Sequence, residues 1–292
     1  MTYDEMLAQA EKMRSRDLFG QVSEEELAVL PAVQTEINVS CGDGICVHVY
    51  EIRPRKERTP NCPMFLNFHG GGFIKGRQNK DRVYCSRLAE EFGALVWDID
   101  YSLAPEHPFP TAVHEASAIV KYAFTHAGEL GVDAGRILLS GHSAGGNLTA
   151  AACIGLAADG RFRPAAVIME YFPADLHTDP ADKPRVATDM PAEVARTYNA
   201  FYCAPETAVS PLASPLFAEE RELGAFPDTL IQSAGLDSLN TEDEEFAIKL
   251  ARAGVEVSVK RYLHSHHGFT INRTDEWEAA FRAQEAFIRR HI

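Results

Sequence analysis

The feature that most constrains this chain is the run Arg136-Ile-Leu-Leu-Ser-Gly-His-Ser-Ala-Gly-Gly-Asn-Leu148, where a short β-rich stretch meets Gly-x-Ser-x-Gly and passes into an Ala-rich helical pattern. A strand that turns straight into a helix on such a pentapeptide presents its serine on a strained turn. Gly141 and Gly145 spare that turn the Cβ clashes of larger residues. Ser143 is therefore a candidate nucleophile. The pentapeptide alone is also an ordinary glycine-rich turn, so its weight comes from the strand before it and the helix after it.

A serine hydroxyl is a poor nucleophile until a base takes its proton, and the chain offers a base and an acid further on. Thr229-Leu-Ile-Gln-Ser-Ala-Gly-Leu-Asp237 reads as a buried strand ending at an acid, and Val255–Leu263 reads as another strand followed by His264-Ser-His-His-Gly-Phe269. Ser143, Asp237 and His267 thus each follow a strand, and in a parallel sheet such positions gather along the carboxyl edge. Taken singly, Asp237 is also a helix N-cap for the segment from Asn240, and any one histidine a loop or core residue.

The third element is Met64-Phe-Leu-Asn-Phe-His-Gly-Gly-Gly-Phe73, a hydrophobic run ending in three glycines. Gly71 and Gly72 can bring backbone amides to a developing oxyanion, and Ala144, directly after Ser143 at a helix start, can supply another.

With these three elements in place, the chain resembles the bacterial hormone-sensitive-lipase-like esterases of the α/β-hydrolase superfamily. His69-Gly-Gly-Gly-Phe73 is similar to that family's oxyanion loop, Asp100-Tyr-Ser-Leu-Ala-Pro-Glu-His-Pro-Phe-Pro110 to its strand-and-turn signature, and Gly141-His-Ser-Ala-Gly-Gly-Asn-Leu148 to its elbow. The likeness continues through Ser210-Pro-Leu-Ala213, Asp237-Ser-Leu239 and His267-Gly-Phe269. Two positions depart: 142 is His where the family usually has Asp or Thr, and 102 is Ser where Arg is common. The resemblance implies a serine carboxylesterase for short-chain acyl esters, with Ser143, Asp237 and His267 catalytic and Gly71, Gly72 and Ala144 forming the oxyanion hole. It also implies that Tyr101, Glu106 and His107 shape a turn, and His69 is expected to fix the oxyanion loop. An amidase or peptidase on small acylated substrates is the rival within the same chemistry. A ligand-binding receptor on the same fold is the rival outside it, disfavoured because the full Ser, Asp and His set is kept.

Length and composition agree with one large α/β domain spanning residues 1–292, since 46% of the 292 residues are hydrophobic. A net charge of −14 argues against nucleic acid or an anionic membrane as partner. The expected partner is a small-molecule ester, with a homodimer compatible with the sequence. No apolar run reaches membrane-spanning length and the N-terminus lacks a signal pattern, so the expected compartment is the cytoplasm. Six cysteines without a Cys-x-x-Cys pair suggest free thiols, and His264, His266 and His267 lack the further ligands of a metal site, so no metal or other cofactor is expected.

Hydrophobic periodicity predicts strands near 35–41, 46–54, 64–69, 94–100, 136–141, 165–172, 229–235 and 255–263, the first two joined by a Gly42-Asp-Gly44 hairpin. Helices are expected near 79–92, 111–127, 145–158, 240–253 and 274–290, after an amphipathic N-terminal region to about residue 30. These elements make an eight-stranded, mostly parallel sheet with helices on both faces, which the resemblance implies is the α/β-hydrolase fold. The excursion from Ala174 to about Phe226 is too long for a plain connection. Such an insertion can be a lid or simply a solvent-exposed excursion; the resemblance implies that it forms a helical cap together with the N-terminal segment, which assigns residues 1–30 and about 175–209 to the cap, with a helix over Met190–Cys203. Phe172, Tyr198, Phe201 and Tyr202 are its candidate substrate-binding aromatics.

Overall fold

The computed structural model describes residues 2–15, 22–56, 58–184, 186 and 190–292. The parts of the expected cap at 1, 16–21, 185 and 187–189 lie outside the described residues. Among the described residues eight strands form one sheet: β1 (Ala32–Gly42), β2 (Ile45–Pro54), β3 (Cys62–Phe68), β4 (Leu95–Asp100), β5 (Val132–His142), β6 (Ala166–Glu170), β7 (Asp228–Ala234) and β8 (Val257–Tyr262). Their order is β1-β2-β4-β3-β5-β6-β7-β8, with β2 antiparallel to both neighbours and every other pairing parallel.

The central strands are mainly apolar because helices cover both faces, and every residue of β3 is buried. Alternation along the strands divides the core. Phe65, Leu138, Ile168 and Leu230 meet Leu88 and Phe92 of the helix Asn79–Phe92 and Phe287 and Ile288 at the end of the C-terminal helix Trp277–Ile288. Leu66, Leu139, Val167 and Ile231 join the other layer, with Ile119 of Thr111–Thr125, Leu148 of Ala144–Leu156 and Phe246 of Asn240–Arg252. This is the two-residue period of a pleated strand sandwiched between helix layers.

Several boundaries differ from the expected ones. β5 starts at Val132, because Asp133-Ala-Gly135, which reads as a turn, is absorbed in an irregularity between the pairs Cys62↔Val132 and Met64↔Ile137. β6 stops at Glu170, since Tyr171 has a φ of 35° and leaves the strand, taking Phe172 with it. The expected helix 274–290 begins only at Trp277. A short helix Phe269–Asn272 precedes it, ended by Arg273 in the left-handed region. The helix expected at Met190–Cys203 runs Ala192–Tyr202, with Pro191 as its N-cap.

The N-terminal helix Tyr3–Arg14 fully buries only Ala10, with Met6 and Met13 partly buried against the same core, and Arg14 ties it to the body by polar contacts. That side chain donates to Ile74 O at 2.9 Å and Ala104 O at 3.0 Å and pairs with Glu106 at 2.6 Å. All six cysteines are free, including Cys41 and Cys46 beside the first hairpin.

Candidate active site

Ser143 sits where β5 ends and the helix Ala144–Leu156 begins, with φ 53° and ψ −126°. Few non-glycine residues adopt such a conformation, and here the packing around it holds the turn. A Cβ on Gly145 would lie 1.9 Å from Phe68 O, and one on Gly141 would lie 2.3 Å from Gly145 O. The end of β3, the elbow and the helix therefore meet backbone to backbone. Ala144 is the first residue of its helix, so its amide has no intrahelical acceptor.

His267 follows β8 and Asp237 follows β7, and the sheet brings both to Ser143. His267 Nε2 lies 2.9 Å from Ser143 Oγ, and His267 Nδ1 lies 2.6 Å from Asp237 Oδ2. The other Asp237 oxygen accepts from the Leu239 amide at 3.2 Å. The neighbouring histidine is engaged elsewhere: His266 Nδ1 lies 3.1 Å from Asp275 Oδ2.

The glycine loop leaves β3 beside the serine, with φ of 126° at Gly71 and 61° at Gly72. Its peptides are held from several sides. Tyr101 Oη donates to His69 O at 2.8 Å, His69 Nδ1 donates to Gly70 O at 2.7 Å, and the Ile74 and Lys75 amides donate to Gly71 O. The His69 ring also stacks on Tyr101 at 4.2 Å.

Of the four aromatics expected to line the substrate, Tyr198 is half-buried and lies directly against this loop: a Cβ on Gly72 would come within 2.2 Å of its ring. The other three are enclosed. Phe172 packs edge-on against Phe246, Phe201 is in the core, and Tyr202 stacks on Phe73 at 3.6 Å.

Residues 65–271 match the family of the alpha/beta hydrolase fold. The chain belongs to that α/β-hydrolase family. It falls in the hormone-sensitive-lipase-like group: 48% of it aligns with 13% of human hormone-sensitive lipase, at 38% identity over 141 residues. Esterase LipI of Mycobacterium tuberculosis is 30% identical over 264 residues, 89% of this chain and 81% of that one. The AB hydrolase superfamily protein C1039.03 of Schizosaccharomyces pombe is 32% identical over 213 residues, and this α/β-hydrolase spans 62% of its length and 70% of its own. Among solved structures, the hyperthermophilic esterase from Pyrobaculum calidifontis superimposes with a TM-score of 0.78 at 30% identity, covering 98% of this chain and 90% of that one.

Around Ser143, His267 and Asp237 this α/β-hydrolase buries carboxyl groups that had no distinctive sequence signal. Asp243 is enclosed beside Asp237. Burial, and then the charges of Asp237 and Glu242, raise its carboxyl well above the ordinary range, and it accepts the Phe172 amide at 3.0 Å. Asp81 lies 2.9 Å from His142 Nε2. Its one sequence cue is its place in the first turn of a helix.

Glu170, the strand neighbour of His142, is fully enclosed and bonded to Gln284 Nε2 at 2.7 Å. Burial lifts its carboxyl from the ordinary 4.5 to about 7, against the lowering effects of His142, Thr270 and Gln284. The folded chain therefore holds a proton on Glu170 that the unfolded chain releases between pH 4.5 and about 7, so this group's contribution to stability falls as pH rises through that window. Glu170→Gln should gain stability relative to the parent between pH 5 and 8, on the order of 2–3 kcal/mol. Urea unfolding at several pH values measures this, and a difference that does not change with pH would refute it.

Proposed function

We propose that this α/β-hydrolase is a serine carboxylesterase for short-chain acyl esters, working through an acyl-enzyme. The observation that carries the reading is the continuous line of hydrogen bonds from Ser143 Oγ through His267 to Asp237 beside a loop of backbone amides. In this mechanism His267 Nε2 accepts the Ser143 proton as Oγ attacks the ester carbonyl, and Asp237 keeps the other ring nitrogen protonated and stabilises the imidazolium. The amides of Gly71, Gly72 and Ala144 hold the oxyanion. His267 then returns the proton to the departing alcohol, a water attacks the acyl-serine with His267 again as base, and the acid leaves. The names of Esterase LipI and of the Pyrobaculum esterase support the ester as substrate.

The cap belongs to the same proposal. Residues 1–30 and 175–209 would close the groove, with Tyr198 as the wall beside the oxyanion loop. Each acyl methylene adds about 0.8 kcal/mol while space lasts, and overpacking then costs ~1–3 kcal/mol, so chain-length preference should peak and fall. The expected optimum lies between acetyl and hexanoyl esters, and Tyr198→Ala should move it to longer chains. A p-nitrophenyl ester series with an amide analogue, together with mass mapping of fluorophosphonate-labelled protein, tests the whole reading. Faster amide than ester cleavage, or labelling that spares Ser143, would reject it. A steady rise through palmitoyl esters would reject the closed groove.

A further inference from the structure

His142, next to the nucleophile, is buried, with its side chain 4% exposed, and it touches two groups through one atom. The Gly70 amide donates to Nε2 at 3.0 Å, and Asp81 Oδ1 lies 2.9 Å from the same nitrogen. Nδ1 has no hydrogen-bond partner among the described residues. An imidazole nitrogen offers either one lone pair or one proton, so Nε2 can accept from Gly70 or donate to Asp81, but not both. The peptide that Gly70 N–H belongs to has its carbonyl held by Tyr101, and the next peptide, whose N–H is that of Gly71, has its carbonyl held by His69. His142 thus supplies the remaining restraint on the first peptide of the oxyanion loop.

We infer that His142 is a positioning residue for the oxyanion loop, holding Gly70 through an unprotonated Nε2. The inference deepens the esterase reading and rests on it. In the holding state the ring proton is on Nδ1. Asp81 is itself anchored by its other oxygen, which accepts the Gln78 amide at 2.7 Å at the start of the helix Asn79–Phe92. The other titratable groups facing His142 are Tyr84, edge-on at 6.3 Å from the same helix, Glu170 on the adjoining strand, and His69 in the loop itself, which acts through Asp81.

The test compares wild type, His142→Ala and His142→Gln. The glutamine amide reaches the Nε2 position and can accept from Gly70 without titrating. At pH 8, His142→Ala should lose kcat about tenfold or more with KM little changed, because the loop amides act mainly in the transition state, and His142→Gln should recover most of the loss. Hydrogen exchange of the peptide containing Gly70 needs no turnover: it should quicken in His142→Ala and return toward wild type in His142→Gln. Unchanged exchange in His142→Ala, or equal impairment of both variants, would overturn the inference. An inactive wild type that still shows the exchange pattern would sink the esterase reading and leave the His142 contact standing.

Discussion

Ser143→Ala is expected to lower kcat/KM for a short-chain ester by about 10⁴-fold or more, leaving the turnover that the loop amides and substrate binding provide without a nucleophile. His267→Ala should be comparably damaged, because His267 Nε2 is the basic nitrogen hydrogen-bonded to Ser143 Oγ, 2.9 Å away. His266→Ala provides the contrast. Its ring is bound to Asp275 and about half exposed, so activity should stay within about threefold of wild type. Initial rates on one ester, with circular dichroism to confirm folding, are sufficient. A dead His266→Ala beside an active His267→Ala would move the base by one position.

The second large effect is on stability. Gly145→Ala adds one methyl group, which would sit 1.9 Å from Phe68 O and 2.6 Å from His69 O. Both neighbours are backbone atoms at the end of a central strand and cannot rotate aside. The expected loss exceeds ~3 kcal/mol, at or beyond the upper end of ordinary overpacking, and the variant should unfold at much lower urea or fail to accumulate. Gly128→Ala is the matched control, since nothing lies within 4 Å of its added methyl, and it should stay within about 0.5 kcal/mol of the parent. Equal midpoints for the two variants would contradict this account of the elbow's packing.

Sequence periodicity revealed the sheet because the central stretches of β3, β5, β6 and β7 are covered on both faces and carry apolar runs, so their positions followed from composition over a few residues. The ends were less legible. Tyr171 leaves β6 through a positive φ that no residue pattern announces, and Arg273 ends the short helix after His267 in the left-handed region, where glycine or asparagine would have signalled a stop. Candidate chemistry was readable where it depends on residue type and strand ends, as with Ser143, Asp237 and His267. It was not readable where it depends on which polar groups are sealed in together. Asp81, Glu170 and Asp243 look like surface acids in the chain, and only the packing of three separate elements turns them into buried neighbours of His142 and Asp237. The aromatics show the same limit: Phe172, Tyr198, Phe201 and Tyr202 were indistinguishable as letters, yet Tyr198 faces the oxyanion loop while the other three fill the core.

The backbone-to-backbone contact among Phe68, Gly141 and Gly145 has a consequence for how this molecule can diverge. Ser143 takes its position from main-chain atoms, and the surfaces that would meet a substrate are side chains on a different part of the chain, such as Tyr198 on the helix Ala192–Tyr202. Those side chains can be exchanged one at a time without passing strain to the elbow. The machinery and its selectivity are thus separately heritable: new preferences can arise by small steps along a path on which every intermediate still turns over.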